Sequence, residues 1–250
     1  MDCPKDFMEN IIIASAVGNV TAFVLTPTEK SEYSGVALQI MRENPSVEQV
    51  AFVKEPICGA DGRIELMGGE FCCNAVRSFA CILAGEKKQV KGEYLIECSG
   101  VSEPVKAGVL PSGEAYAELP LPQSIGELDG TPLVKMEGIS HLIFNRAADN
   151  SICDGLRETA KRLNAEALGA MFITDGGVTP VVYVRDTDST VFEGSCGSGA
   201  AAIAALNYSI SGGKRLRNDL NFPRGVIKAE VLPEGAQSPS VRITSEIEFI

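Results

Sequence analysis

Only one histidine, His141, stands among the 250 residues, and none of the eight cysteines belongs to a Cys-x-x-Cys pair. Both scarcities argue against a zinc site and against a redox-active dithiol. No apolar run approaches the ~20 residues that a membrane span needs. The longest early run is Ile11-Ile12-Ile13 with Ala14. No phosphate-binding loop, low-complexity tract or charge block occurs. The opening residues Met1-Asp2-Cys3-Pro4-Lys5-Asp6 are polar and acidic, unlike a signal peptide, so a cytoplasmic location is expected. Lys and Arg number 22 against 33 Asp and Glu, a net charge of −11 that would repel a nucleic acid or an anionic membrane.

Hydrophobic residues make up 45% and charged residues 22%, enough apolar side chain for a real core in one large domain or two lobes. With such a core and no export signal, the cysteines are expected as reduced thiols, most of them small buried hydrophobes. The Pro- and Gly-rich stretch from Leu119 to Gly130 is the softest boundary. It suggests a first lobe over 1–118, to which a final strand at about 241–250 could return, and a second over 119–240. Asn10–Val17 and Thr21–Thr26 read as strands around Gly18-Asn19. A helix is expected over Lys30–Glu43, stopped by Asn44-Pro45. Further strands are expected at Val50–Val53, His141–Phe144 and Val181–Val184. Ile152, Leu156, Ala160, Leu163 and Ala167 recur at helical spacing between the last two.

The chain also echoes itself. Cys72 is followed by Asn74, Ala75, Phe79 and Ala80; Cys196 is followed at the same offsets by Ser198, Gly199, Ile203 and Ala204. The two cysteines lie about half the chain length apart. Gly68-Gly69 and Gly194 precede them, and apolar, alanine-rich sequence follows. Each segment reads as a tight loop delivering a cysteine to a helix N-terminus. The first-turn amides and the macrodipole favour an anion there, lowering a thiol's pKa and offering donors to a carboxylate. Two such helix starts facing one small molecule would let one thiolate take a proton while the opposite thiol returns another to the other face. That scheme inverts a stereocentre without a cofactor or a metal.

These residues resemble the cofactor-independent diaminopimelate epimerase-like family, which includes amino-acid racemases. The ordered landmarks are Gly18-Asn19, Glu48-Gln49 before an apolar strand, Ala60-Asp61-Gly62, Cys72-Cys73-Asn74-Ala75-Val76-Arg77 and Cys196-Gly197-Ser198-Gly199-Ala200. Cys73 and Ala75 replace glycines of the family pattern. The resemblance implies an α/β (α+β) fold of two pseudo-symmetric lobes, each a mostly antiparallel sheet wrapped around a central helix, with the site in the cleft. It implies Cys72 and Cys196 as the acid/base pair, with Cys73 the rival for the first place. Asn19, Gln49, Cys73, Asn74, Gly197 and Ser198 are the substrate-binding candidates. Asn19 could equally be a turn residue, Glu48 a solvated strand-edge carboxylate, Arg77 a loop brace or an ordinary surface arginine, and His141 a structural histidine.

The residues that hold the distal carboxylate of diaminopimelate are missing: Gly59, Gly138-Ile139-Ser140-His141 and Thr187-Asp188 stand at the corresponding places. Asp188 would repel that carboxylate. An amino acid with a neutral or basic side chain fits better, and the related histidine racemases make histidine the first candidate. The alternatives are a diaminopimelate epimerase and a catalytically silent amino-acid-binding protein of the same fold. The partner expected is a small-molecule amino acid, and a homodimer is the assembly considered.

Overall fold

A computed structural model describes residues 10–57, 59–86, 92–149, 152–186, 188–233 and 239–250. Cys3 and Thr187, invoked above, and Cys58, another of the eight cysteines, lie outside the described residues. By its internal contacts the chain divides into two compact units, Met1–Ala115 with Glu246–Ile250, and Tyr116–Ser245.

The first unit runs β1 (Ile11–Ala16), β2 (Asn19–Val24), α1 (Tyr33–Glu43), β3 (Gln49–Lys54), β4 (Gly62–Leu66), α2 (Cys73–Glu86), β5 (Glu93–Cys98) and β6 (Val105–Val109). The second holds β7 (Ala115–Pro120), β8 (Ser124–Leu128), β9 (Thr131–Lys135), β10 (Ser140–Phe144), α3 (Ile152–Leu163), β11 (Ala167–Thr174), β12 (Gly177–Val184), β13 (Ser189–Phe192), α4 (Gly197–Ile210), β14 (Arg217–Phe222), β15 (Gly225–Leu232) and β16 (Ser240–Ser245). The last strand, β17 (Ile247–Phe249), pairs antiparallel with β1.

In the first unit the strand order is β6-β5-β4-β3-β2-β1-β17, antiparallel except for β2/β3 and β4/β5. Helix α2 packs against β1, β2, β5, β6 and β17, and nearly every described side chain on it is buried. A helix that is apolar all round belongs inside, not on a surface. Gly62 admits it closely: a Cβ there would lie 2.7 Å from the Phe79 ring. On the outer side, α1 sends Tyr33, Ala37 and Ile40 into a cluster with Val24, Val50 and Phe52. The Tyr33 ring stacks on Phe52 at 3.8 Å.

The second unit repeats this plan. Strands β13-β12-β11-β10-β9-β8 form one sheet and β14-β15-β16-β7 another run. Only β10/β11 is parallel among the register pairs of the six-stranded sheet. Helix α4 packs against β9, β10, β11, β14, β15 and β16 and is buried from Gly197 to Leu206. Five alanines fill that stretch, so strand side chains approach the helix backbone closely. The fold is the mixed α+β architecture of mostly antiparallel sheets around central helices.

Several element expectations need correction. Lys30–Glu32 is a 3-10 turn ahead of α1, held by a reciprocal capping box between Glu29 and Glu32, so the helix does not run unbroken from Lys30. Ala167 opens β11 instead of continuing α3. Asn164 ends that helix in the left-handed region (φ 50°), and the Ala165 N–H returns to the Ala160 carbonyl at 2.9 Å, a Schellman closure. Asn19 is the first residue of β2; the turn proper is Val17-Gly18, both at positive φ. No helix among the described residues is long and apolar enough to cross a membrane.

Candidate active site

In the first unit, Cys72 immediately precedes α2. Its carbonyl accepts the Val76 N–H at 3.1 Å, and its Sγ accepts the Ala75 N–H at 3.4 Å. The sulfur thus stands where a helix-capping oxygen would, satisfying one of the first-turn donors. Cys98, at the end of β5, receives the backbone N–H of Cys72 on its own sulfur. The approach loop is pinned as well. Ser99 Oγ accepts the Leu66 N–H at 2.9 Å and donates to the Glu70 carbonyl at 2.8 Å. Gly100, at φ 78°, presses so closely on Phe71 that a Cβ would lie 2.3 Å from its nitrogen.

Cys73 is the first residue of α2 and is buried. Burial pushes its thiol up, partly offset by the Arg77 guanidinium hydrogen-bonded to it. Arg77 is fully buried one turn along and also donates to Asn74 Oδ1. Arg77 is therefore a core brace of this helix start. On the neighbouring strands, Asn19 Nδ2 donates to Glu48 Oε2 at 3.1 Å. Asn19 Oδ1 and Gln49 Oε1 are buried acceptors that meet no hydrogen-bond donor among the described residues. Glu48 is thus an engaged carboxylate, not a merely solvated one.

In the second unit, Cys196 is the N-cap of α4, with extended backbone and its carbonyl accepting the Ala200 N–H at 3.0 Å. Its sulfur receives the Gly199 N–H and lies 3.5 Å from Ser198 Oγ. Burial and the Glu193 carboxylate, hydrogen-bonded to the thiol, push Cys196 well above an ordinary cysteine; Ser198 and Gly199 pull the other way. Gly199 has no alternative, because a Cβ would meet Met171 Sδ at 2.2 Å. Ser198 Oγ is also 3.1 Å from His141 Nε2.

Asn19 and Gln49 on β2 and β3, with Cys72, Cys73 and Asn74 at the start of α2, belong to the first unit, and Cys196, Gly197 and Ser198 at the start of α4 to the second. Asp188 is ion-paired to Arg157 of α3 at 2.9 Å and accepts the Tyr183 hydroxyl at 3.0 Å. Sequence reasoning missed Cys98, Glu193 and the link from His141 to Ser198. Only the last had a signal, the polar histidine inside an apolar strand. Among the described residues no group of three or more His, Cys, Asp or Glu side chains is placed to hold a metal ion.

The sequence relatives make the chain an isomerase of the amino-acid racemase class. The family model described as the histidine racemase CntK N-terminal domain matches residues 10–250, and the chain belongs to that family. A histidine racemase of Fusobacterium nucleatum subsp. nucleatum is 35% identical over 184 residues, covering 66% of this chain and 68% of the relative. Another, from Staphylococcus aureus, is 24% identical over 208 residues, 76% of each chain. Among solved structures, a phenazine biosynthesis protein of the PhzF family from Enterococcus faecalis superposes with a TM-score of 0.62 at 14% identity, over 96% of both chains. A probable proline racemase from Agrobacterium radiobacter superposes with a TM-score of 0.66 at 13% identity, over 95% of this chain and 90% of its own. These likenesses establish the fold.

Proposed function

We propose that this enzyme racemises histidine without a cofactor, with Cys72 and Cys196 as the two acid/base groups on opposite faces of Cα. The observation that carries the reading is the equivalent setting of the two sulfurs. Each heads a buried helix, and each accepts an amide N–H from the first turn three residues on. A thiolate takes the Cα proton and becomes a thiol. The electron pair left on Cα is delocalised into the carboxylate, and the opposite thiol gives its proton to the other face. Added charge on the carboxylate is met by the positive N-terminal ends of α2 and α4 and their first-turn amides. Asn19 Oδ1, Gln49 Oε1 and the Glu48 carboxylate supply acceptors for the substrate ammonium.

Histidine as substrate is supported by what the relatives are named for and by the side chains lacking here. No arginine or pair of asparagines occupies the places that would hold a distal carboxylate, and a desolvated anion without such partners costs several kcal/mol. In deuterium oxide, L-histidine is expected to give D-histidine labelled at Cα, faster than diaminopimelate or other members of an amino-acid panel. Cys72→Ala and Cys196→Ala should each lower racemisation by at least about a hundredfold. Turnover retained in either variant overturns the mechanism. Tight binding of an amino acid without Cα exchange overturns the enzymatic reading in favour of a binding protein.

A further inference from the structure

His141 has one observed partner and one orphan atom. Its Nε2 lies 3.1 Å from Ser198 Oγ. Its Nδ1 is buried and meets no hydrogen-bond partner among the described residues. The ring packs over Gly169, its register partner on β11, where a Cβ would lie 2.3 Å from Nδ1. Burial drives the imidazole pKa down to about 3, so the ring is neutral at physiological pH. A neutral imidazole carries one proton. Placed on Nδ1, that proton would be a buried donor with nothing to bond, the costlier of the two arrangements. It therefore sits on Nε2 and donates to Ser198 Oγ. With that lone pair occupied, the Ser198 hydroxyl proton is turned towards the remaining neighbour, Cys196 Sγ at 3.5 Å.

We propose that His141 is a positioning residue which, through Ser198, fixes a hydroxyl donor on the Cys196 sulfur and stabilises the thiolate left when Cys196 has given up its proton. The need for it lies in the same pocket. Glu193 places a carboxylate beside that sulfur, opposing a second negative charge. The inference rests on Cys196 being a catalytic thiol, but the contact chain does not: β10 sets His141, β11 makes room for it with Gly169, and α4 presents Ser198.

The test reads the sulfur directly. Substrate-free enzyme is alkylated with iodoacetamide at several pH values, and modification of Cys196 and Cys72 is followed separately by peptide mass spectrometry. Ser198→Ala and His141→Met should each slow Cys196 alkylation roughly tenfold below its midpoint, equivalent to about one pH unit, while leaving Cys72 unchanged. Ser198→Thr and His141→Gln, which keep a hydroxyl and an N–H donor, should return the Cys196 profile towards wild type. Unchanged Cys196 reactivity in Ser198→Ala, or an equal slowing of Cys72, overturns the proposal. Ser198→Ala alters one small side chain, so it keeps the test decisive if His141→Met fails to fold. Because alkylation needs no substrate, absence of racemisation would sink the functional reading without touching this result. Conversely, unmoved alkylation sinks the relay while two-thiol catalysis stands.

Discussion

At the scale of single residues, the adjacent thiols of Cys72 and Cys73 are separated by what surrounds them. Cys72 lies before the helix with an amide aimed at its sulfur, whereas Cys73 is inside the first turn against Arg77. Burial pushes the Cys73 thiol up and Arg77 holds it inside the helix start, so in the proposed two-thiol mechanism Cys73 contributes packing and a backbone amide, and the base is Cys72, whose sulfur stands ahead of the helix. Cys73→Ala should therefore leave racemisation within about threefold of wild type, measured beside Cys72→Ala, which is expected to lose it. Activity kept in Cys72→Ala and lost in Cys73→Ala would return the first-unit base to Cys73. The sequence favours Cys72 by its spacing to Asn74 and Arg77, and both of those side chains are buried on α2. The burial of Arg77 was not legible: nothing in a linear pattern distinguishes an arginine sealed in a core from one in water.

At the scale of elements, the β1–β2 hairpin carries a visible cost. Val17 and Gly18 both have positive φ, the geometry of a tight two-residue turn, and Gly18 N–H bonds to Ser15 Oγ at 3.1 Å. A β-branched residue is strained there, so Val17→Asn should stabilise the protein by about 1 kcal/mol. The expected rise in melting temperature is about 2–4 °C for a chain of this size; an unchanged or lower value would show that Val17 has compensating contacts. The strands and helices read from sequence were those with strong periodicity, such as Leu156 and Ala160 on α3. Strand β8 had no such signal, because Ser124–Leu128 is exposed along almost its whole length and exists by backbone pairing with β9. The helix end at Asn164 was missed because Ala167 continues the helical spacing by coincidence beyond a left-handed stop.

At the scale of the whole molecule, the buried ionisable groups bound the pH range of stability. His141 has a folded pKa near 3 against an ordinary 6.5, so its stabilising contribution is present above 6.5 and is lost as pH falls towards 3. Cys81 and Cys98 are raised from 9.0 to about 11 and about 12; their contribution is complete below 9 and is lost as pH rises through those values. Thermal unfolding across pH should give a plateau between about 6.5 and 9 with a fall on either side. A flat alkaline limb would mean that the thiols ionise without opening the core. The two-fold echo in the sequence foretold paired cysteine-headed helices. The partner of His141 was less legible: a polar histidine inside an apolar strand signals a buried contact, but Ser198 lies 57 residues away in the chain. Finally, Cys72 and Cys196 expose only 8% and 5% of their surfaces. A covalent inhibitor for this enzyme must therefore be slender, with an electrophile of a few atoms, since a warhead on a broad ring system would stall before reaching either sulfur.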